Sequence, residues 1–158
     1  MAGDCEGAYL NAPSREKLCT KCGPEFGAVR EGGYALIVRA PYGSKSAAAS
    51  WRAAISKVIS DLGFTPCRAD NDVWMRPGVN RANEKIWEYV LVYYDDLLVL
   101  GLNPRAILNG IHMVYKLKAG SDKKPDQYLG ADIGEMQMAG GETYWYMSSK
   151  SSGSSEEH

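Results

Sequence analysis

The stretch Trp87 to Gly101, WEYVLVYYDDLLVLG, limits the fold more than any other part of the chain. Two apolar arms, rich in β-branched and aromatic residues, flank Asp95-Asp96. That is the pattern of a β-hairpin with a polar tip. A single buried helix is the competing reading, because a short apolar run does not discriminate by itself. Gly101 and a fresh helix start at Asn103-Pro104 favour the hairpin, with Asn103 as N-cap and Pro104 as first helical residue. Ile107, Ile111 and Val114 form the apolar face of the helix that follows, widened by Leu108 and Tyr115. Lys116 and Lys118 suit its C-terminal dipole, and Gly120 can stop it.

Upstream, Trp51, Ile55, Val58, Ile59 and Leu62 recur at helical spacing. Ser44 or Ser46 can cap this helix, and Gly63 suits a left-handed C-terminal turn. Tyr34–Arg39 reads as a short strand. Asp72 to Arg76 reads as another, closed by Pro77-Gly78. Residues 11–33, rich in Pro, Gly and charge, read as an irregular connection. Asp4 follows only three residues, too few for a leading element. Tyr128–Ile133 and Thr143–Met147 read as a closing pair of strands around Gly140-Gly141. The order predicts an α+β protein, an antiparallel sheet with helices packed on one face. Residues 148–158 are Ser-rich and read as a disordered or non-native tail.

Composition bounds the function. The 158 residues make one domain, 45% hydrophobic and 23% charged, enough for a core and too apolar for wholesale disorder. No apolar run reaches the roughly 18 residues of a membrane span. No signal peptide is visible either, so the expectation is a cytosolic protein with no membrane partner. Net charge is −1, which argues against a purely electrostatic nucleic-acid binder. Residues 1–60 carry eight basic and five acidic residues, against ten and fourteen in 61–158. Cys19 and Cys22 look like half a zinc knuckle, but Cys5 and Cys67 make no second close pair. Ordinary reduced cysteines are the expectation.

Asp95-Asp96 between greasy strands has two readings. One is a solvated turn tip. The other is a divalent-metal site, which needs a third carboxylate because neighbouring strand side chains point to opposite faces. Asp4 is the candidate.

Here the motifs acquire a resemblance. Asp4-Cys5-Glu6-Gly7-Ala8-Tyr9 resembles the first catalytic motif of reverse transcriptases, and Tyr93-Tyr94-Asp95-Asp96 resembles their Tyr-X-Asp-Asp box. Pro41-Tyr42-Gly43-Ser44-Lys45-Ser46 followed by Trp51 resembles a segment of the Ty1/copia retrotransposon branch. Leu62-Gly63-Phe64 with Ala69-Asp70, and Tyr128–Ile133, continue that pattern in order. The resemblance implies a polymerase palm whose catalytic β-hairpin carries a two-metal nucleotidyl-transfer site. In it Asp4 and Asp95 would bridge two Mg²⁺ ions, with Mn²⁺ able to substitute. Asp96 would support them, and the backbone carbonyl of Cys5 would be a further ligand. Tyr9 would lie under the sugar of an incoming deoxynucleoside triphosphate, and Lys118 would meet the triphosphate or protonate pyrophosphate. Tyr93, Tyr94, Gly43 and Ser46 would line the primer and its RNA or DNA template.

Departures temper the match. Ser46 stands where the family has a glutamine that helps place template and nucleotide. Ala47-Ala48-Ala49 replaces Ala-Pro-Arg, which removes a rigid turn and a cation. The resemblance also implies fingers, thumb, RNase H and integrase regions for which residues 1–158 leave no room. The expectation is a copia-type palm-like fragment over 1–147, inactive in isolation and belonging to the context of a virus-like particle. The alternative is a decayed or repurposed palm that serves as an interaction module.

Overall fold

The computed structural model describes residues 1–149. Its frame is a five-stranded antiparallel sheet. The Trp87–Gly101 stretch forms the predicted hairpin, β6 (Lys85–Tyr93) and β7 (Asp96–Leu100), with Val90 opposite Val99 and Val92 opposite Leu97. β1 (Ala2–Asp4) lies along the free side of β7. β5 (Val73–Val79) and the short β4 (Thr65–Pro66) complete the sheet beyond β6, so the order is β1-β7-β6-β5-β4.

One face of this sheet carries the core. Val90, Val92, Leu97 and Val99 pack with Trp51, Ile55 and Ile59 of α2 (Ala47–Asp61) and with Ile107, Leu108 and Ile111 of α3 (Pro104–His112). The helical spacing in the sequence therefore marks the buried side of both helices. α2 ends as Gly63 predicts. Gly63 takes φ +86°, its N–H donates to Ser60 and the N–H of Phe64 donates to Ile59, the paired bonds of a Schellman motif. Phe64 is buried beneath. Asn103 caps α3 by accepting from the N–H of Ala106 at 3.1 Å.

Behind the opposite face lies a three-stranded sheet, order β10-β9-β8, built from β8 (Gln127–Tyr128), β9 (Ala131–Gln137) and β10 (Thr143–Ser149). Met1, Leu98, Leu100, Ile133, Trp145 and Met147 line a cleft of about 170 Å³ between the two sheets. A separate hairpin, β2 (Pro13–Lys21) with β3, approaches α1 (Ala8–Asn11) and α2; β3 is the predicted Tyr34–Arg39.

Several sequence expectations are corrected. Residues 13–21 form a strand within the supposed irregular connection. The strand is mostly exposed, so no apolar alternation announces it. Asp4 does have a leading strand, three residues long, because β7 supplies its partner. β5 runs through Pro77-Gly78 to Val79. It can do so because β4 covers only its first part, leaving Pro77 on an open edge where a missing N–H costs nothing. α3 stops at His112, and Val114 is exposed. Tyr128–Ile133 is broken by a turn at Leu129-Gly130, both with positive φ. β10 includes Ser148 and Ser149, the first residues of the expected tail; 150–158 lie outside the described residues.

Candidate functional site

The site grows out of a register. β1 pairs with β7 so that Asp4 stands directly opposite Asp96, and β6 pairs Tyr93 with that same Asp96. Side chains opposite one another on adjacent strands share a face, so Tyr93, Asp96 and Asp4 lie side by side across three strands. Their face is the one turned away from the helices, since it also carries Leu98, opposite Ala2. Tyr94 and Asp95 form the two-residue loop. Tyr94 has φ +52° while Asp95 keeps a negative φ, the sign pattern of a type II′ turn, in which glycine usually holds the first place. A tyrosine there is strained. Two contacts hold it: the indole N–H of Trp51 donates to the Tyr94 carbonyl at 2.6 Å, and the N–H of Cys5 donates to the Asp95 carbonyl at 2.8 Å.

A third segment clasps Asp4 from its other side. The N–H of Lys118 donates to the Asp4 carbonyl at 2.8 Å, and the N–H of Glu6 donates to the Lys116 carbonyl at 2.8 Å. Lys118 is therefore not a helix C-terminal residue but an edge residue of the site, with its Nζ 2.6 Å from Asp4 Oδ2. The other oxygen, Asp4 Oδ1, is buried without a hydrogen-bond partner. The Ser121 hydroxyl accepts from the Asp4 N–H at 3.1 Å.

The electrostatics follow this crowding. Burial raises the Asp96 carboxyl above the ordinary range; the charges of Asp95 and Asp4 add to the rise and Lys118 opposes it. The hydrogen bond to Asp4 raises the Lys118 ammonium, keeping it protonated. Cys5, fully buried, has its thiol pushed up to about 12 by burial and then by Asp4, Asp95 and Asp96. It is a packed thiol rather than a nucleophile. The carboxylates are hard oxygen donors, the type that suits Mg²⁺ or Mn²⁺ over zinc. Among the described residues, no group of three or more His, Cys, Asp or Glu side chains is gathered closely enough to hold a metal ion.

Beside the hairpin tip, Ala8, Tyr9, Tyr42, Tyr94 and Asp95 line an open cleft of about 310 Å³. Tyr9 and Tyr42 have ring centroids 4.8 Å apart, and Tyr94 meets Tyr9 edge-on at 6.4 Å. Tyr93 is half exposed and stands edge-on to Tyr94 at 4.9 Å. The structure thus brings together Asp4, Cys5, Tyr9, Tyr93, Tyr94, Asp95, Asp96 and Lys118. Gly43 lies next to Tyr42 with φ +88°.

Ser46 is engaged elsewhere. Its N–H and its hydroxyl both donate to Glu16 Oε1, at 2.8 and 2.6 Å. The Glu16 carboxylate thereby sits at the N-terminus of α2, where the helix dipole favours negative charge. Sequence reasoning missed Glu16 because nothing in the sequence announces that β2 passes the start of α2. It also passed over Tyr42, whose signal was available: an aromatic between Pro41 and Gly43, set by a turn beside the first helix.

Comparisons with known proteins add one broad relation. A transposon Ty5-1 protein of Saccharomyces cerevisiae is 28% identical over 132 residues, 82% of this chain and 41% of that protein. This similarity supports a retrotransposon origin for the sequence. Sucrose synthases 5 and 7 of Oryza sativa subsp. japonica are each 35% identical over 81 residues, 49% of this chain but 9% of theirs. The chain spans less than half the length of these curated relatives. No protein-family model matches.

Proposed function

We propose that this chain carries the palm of a copia-type reverse transcriptase, with Asp4, Asp95 and Asp96 as the carboxylates of its nucleotidyl-transfer site. The observation that carries the reading is the register that sets Asp4 opposite Asp96 at a hairpin tip bearing Asp95. The buried, unpartnered Asp4 Oδ1 supports it, because an orphan acceptor of this kind is costly unless a donor or cation meets it. The raised Asp96 carboxyl supports it too, since burial and then the charges of Asp95 and Asp4 disfavour its ionised form. The donor chemistry of Asp4, Asp95 and Asp96 suits a hard divalent ion, around which these carboxylates would have to draw closer than they stand here. When bound, Mg²⁺ or Mn²⁺ would acidify a primer hydroxyl and neutralise charge on the departing pyrophosphate.

The chain's own groups do the positioning. The Trp51 and Cys5 bonds fix the loop backbone, so Asp95 is presented from a rigid tip. Tyr9, backed by Tyr42 and Tyr94, forms the apolar wall of the adjoining cleft, where a ring beneath a sugar would exclude a 2′-hydroxyl. Tyr93 offers a half-exposed ring for a primer end. Ser46, held by Glu16, takes the part of a scaffold rather than of the family's glutamine.

Substrate binding tests the reading. A fluorescent deoxynucleoside triphosphate should gain anisotropy with this chain only when Mg²⁺ or Mn²⁺ is present. Asp95→Asn should abolish the gain, and Tyr9→Ala should weaken discrimination against the ribonucleotide. Metal-independent binding, unchanged in Asp95→Asn, would sink the proposal. Primer extension by this chain alone should be slight, because its 18 Lys and Arg are matched by 19 Asp and Glu and leave no excess of positive charge to grip a primer–template.

A further inference from the structure

We infer that the outward face of the β2–β3 hairpin is a docking surface for an amphipathic acidic peptide segment, one that carries a stripe of aliphatic side chains beside a stripe of carboxylates. None of the residues proposed for nucleotidyl transfer lies on this face.

Strand alternation builds the face. In β2, Ser14, Glu16 and Leu18 turn inward, where Glu16 is held by Ser46, while Arg15, Lys17 and Lys21 are exposed on the outer side. In β3, Ala35 and Ile37 turn inward and Tyr34, Leu36 and Val38 point out. The register joins the two outer rows: Lys21 stands opposite Tyr34 and Cys19 opposite Leu36, and opposite residues share a face. A cationic row thus runs beside an apolar row about 4.8 Å away. Neither row has a partner. Tyr34, Leu36 and Val38 are 78%, 68% and 65% exposed, neighbours in one patch rather than scattered side chains. Among the described residues, none of Arg15, Lys17 and Lys21 forms an ion pair. The one carboxylate of the two strands, Glu16, is on the other side.

Complementarity fixes the chemistry of the occupant. Three cations with no carboxylate among them disfavour a second copy of the same face and call for an anionic partner. The apolar row then decides between anions. Leu36 and Val38 are aliphatic and offer no flat ring for a base to stack on, so the row suits the Leu, Ile or Val of a peptide over the bases of a nucleic-acid strand. Three cations are also few for a nucleic acid, whose binding grows with the number of phosphates neutralised. From Tyr34 to Val38 the apolar row is about 14 Å long, the length of about nine helical residues. A helix with aliphatic residues at i, i+3, i+4 and i+7, bordered by Asp or Glu, covers both rows at once.

The test uses the full chain and a fluorescein-labelled helical peptide of about 14 residues, with Leu at i, i+3, i+4 and i+7 and Glu along the border. Fluorescence anisotropy should show binding of this peptide, and none of a peptide with Lys in place of Glu. Lys17→Glu combined with Lys21→Glu should weaken the acidic peptide at least tenfold and gain binding of the Lys peptide, a swap that a misfolded variant does not produce. Leu36→Asp should weaken the acidic peptide at least fivefold, whereas Lys85→Glu, which removes an exposed cation on β6, should leave it unchanged. Bound peptide should also slow alkylation of the exposed Cys19, in the middle of the face, at least threefold relative to Cys67, as read by mass spectrometry. No binding by the wild type, binding unmoved by the charge reversal, or Cys19 left unprotected would overturn the inference. A labelled oligouridine strand or phosphatidylserine vesicles that bind more tightly than the peptide, and lose binding on the same charge reversal, would also overturn it and assign the face to a nucleic acid or a lipid surface.

Discussion

Tyr128, which lines a small pocket with Asp96, shows how much a single buried hydroxyl costs the fold. Its ring is buried against the sheet face that carries Asp96, its hydroxyl has no hydrogen-bond partner, and its pKa is pushed up to about 12 by burial and then by Asp96 and Asp72. Leaving a buried hydroxyl unsatisfied costs about 1 kcal/mol or more. Tyr128→Phe should therefore stabilise the protein by about 1 kcal/mol in urea unfolding near neutral pH. The pH dependence has a definite sign. Between the unfolded value of about 10 and the folded value, the native state binds more protons than the unfolded one, so stability falls as pH rises through that window. The variant should lose that alkaline decline. A variant that is less stable at neutral pH would show that the hydroxyl has a partner in solution. Site residues were legible to different degrees for physical reasons. Asp4, Asp95 and Asp96 stand at fixed spacings in motifs, whereas the roles of Glu16 and Ser121 depend on chain crossings that local sequence does not encode.

At the scale of elements, the hairpin, α2 and the start of α3 were readable because each couples an apolar period to a stop or start signal. The end of α3 was not, since Met113 and Val114 continue the helical pattern while remaining exposed. β2 was hidden because a strand paired on one side and open to solvent needs no alternation. A second structural feature invisible in sequence ties the elements together. Arg76 of β5 donates twice to Glu88 of β6, at 2.7 and 2.8 Å, and once to the Leu62 carbonyl at the end of α2, at 2.7 Å. Its guanidinium also lies 4.4 Å from the centre of the Phe64 ring. Glu88 is buried, and its other oxygen accepts from the Leu102 N–H at 3.2 Å. Arg76→Met strands that carboxylate, and breaking a buried pair in this way costs about 3 kcal/mol. The double variant Arg76→Met with Glu88→Met should recover much of the loss. A double variant no more stable than the single one would show that the pair contributes through packing alone. At α3, Asn103→Ala should cost about 1 kcal/mol through the lost cap, read as a lowered urea midpoint at unchanged slope.

The whole molecule is an α+β fold in which helices cover one face of the main sheet and Asp4 and Asp96 lie on the other, near its β1 edge. The division follows from strand alternation: Leu97 and Val99 point to the helices, so Asp96 and Leu98 point away. The near-neutral net charge leaves nucleic-acid contact to local placement around the tyrosine-lined cleft. The account stands or falls on whether the three carboxylates act together on a divalent ion. Mn²⁺ titration of the wild type against Asp95→Asn reads that directly. The predicted result is saturable binding by the wild type, weakened at least tenfold by the substitution while circular dichroism is unchanged. Equal affinities in the two proteins would contradict the account.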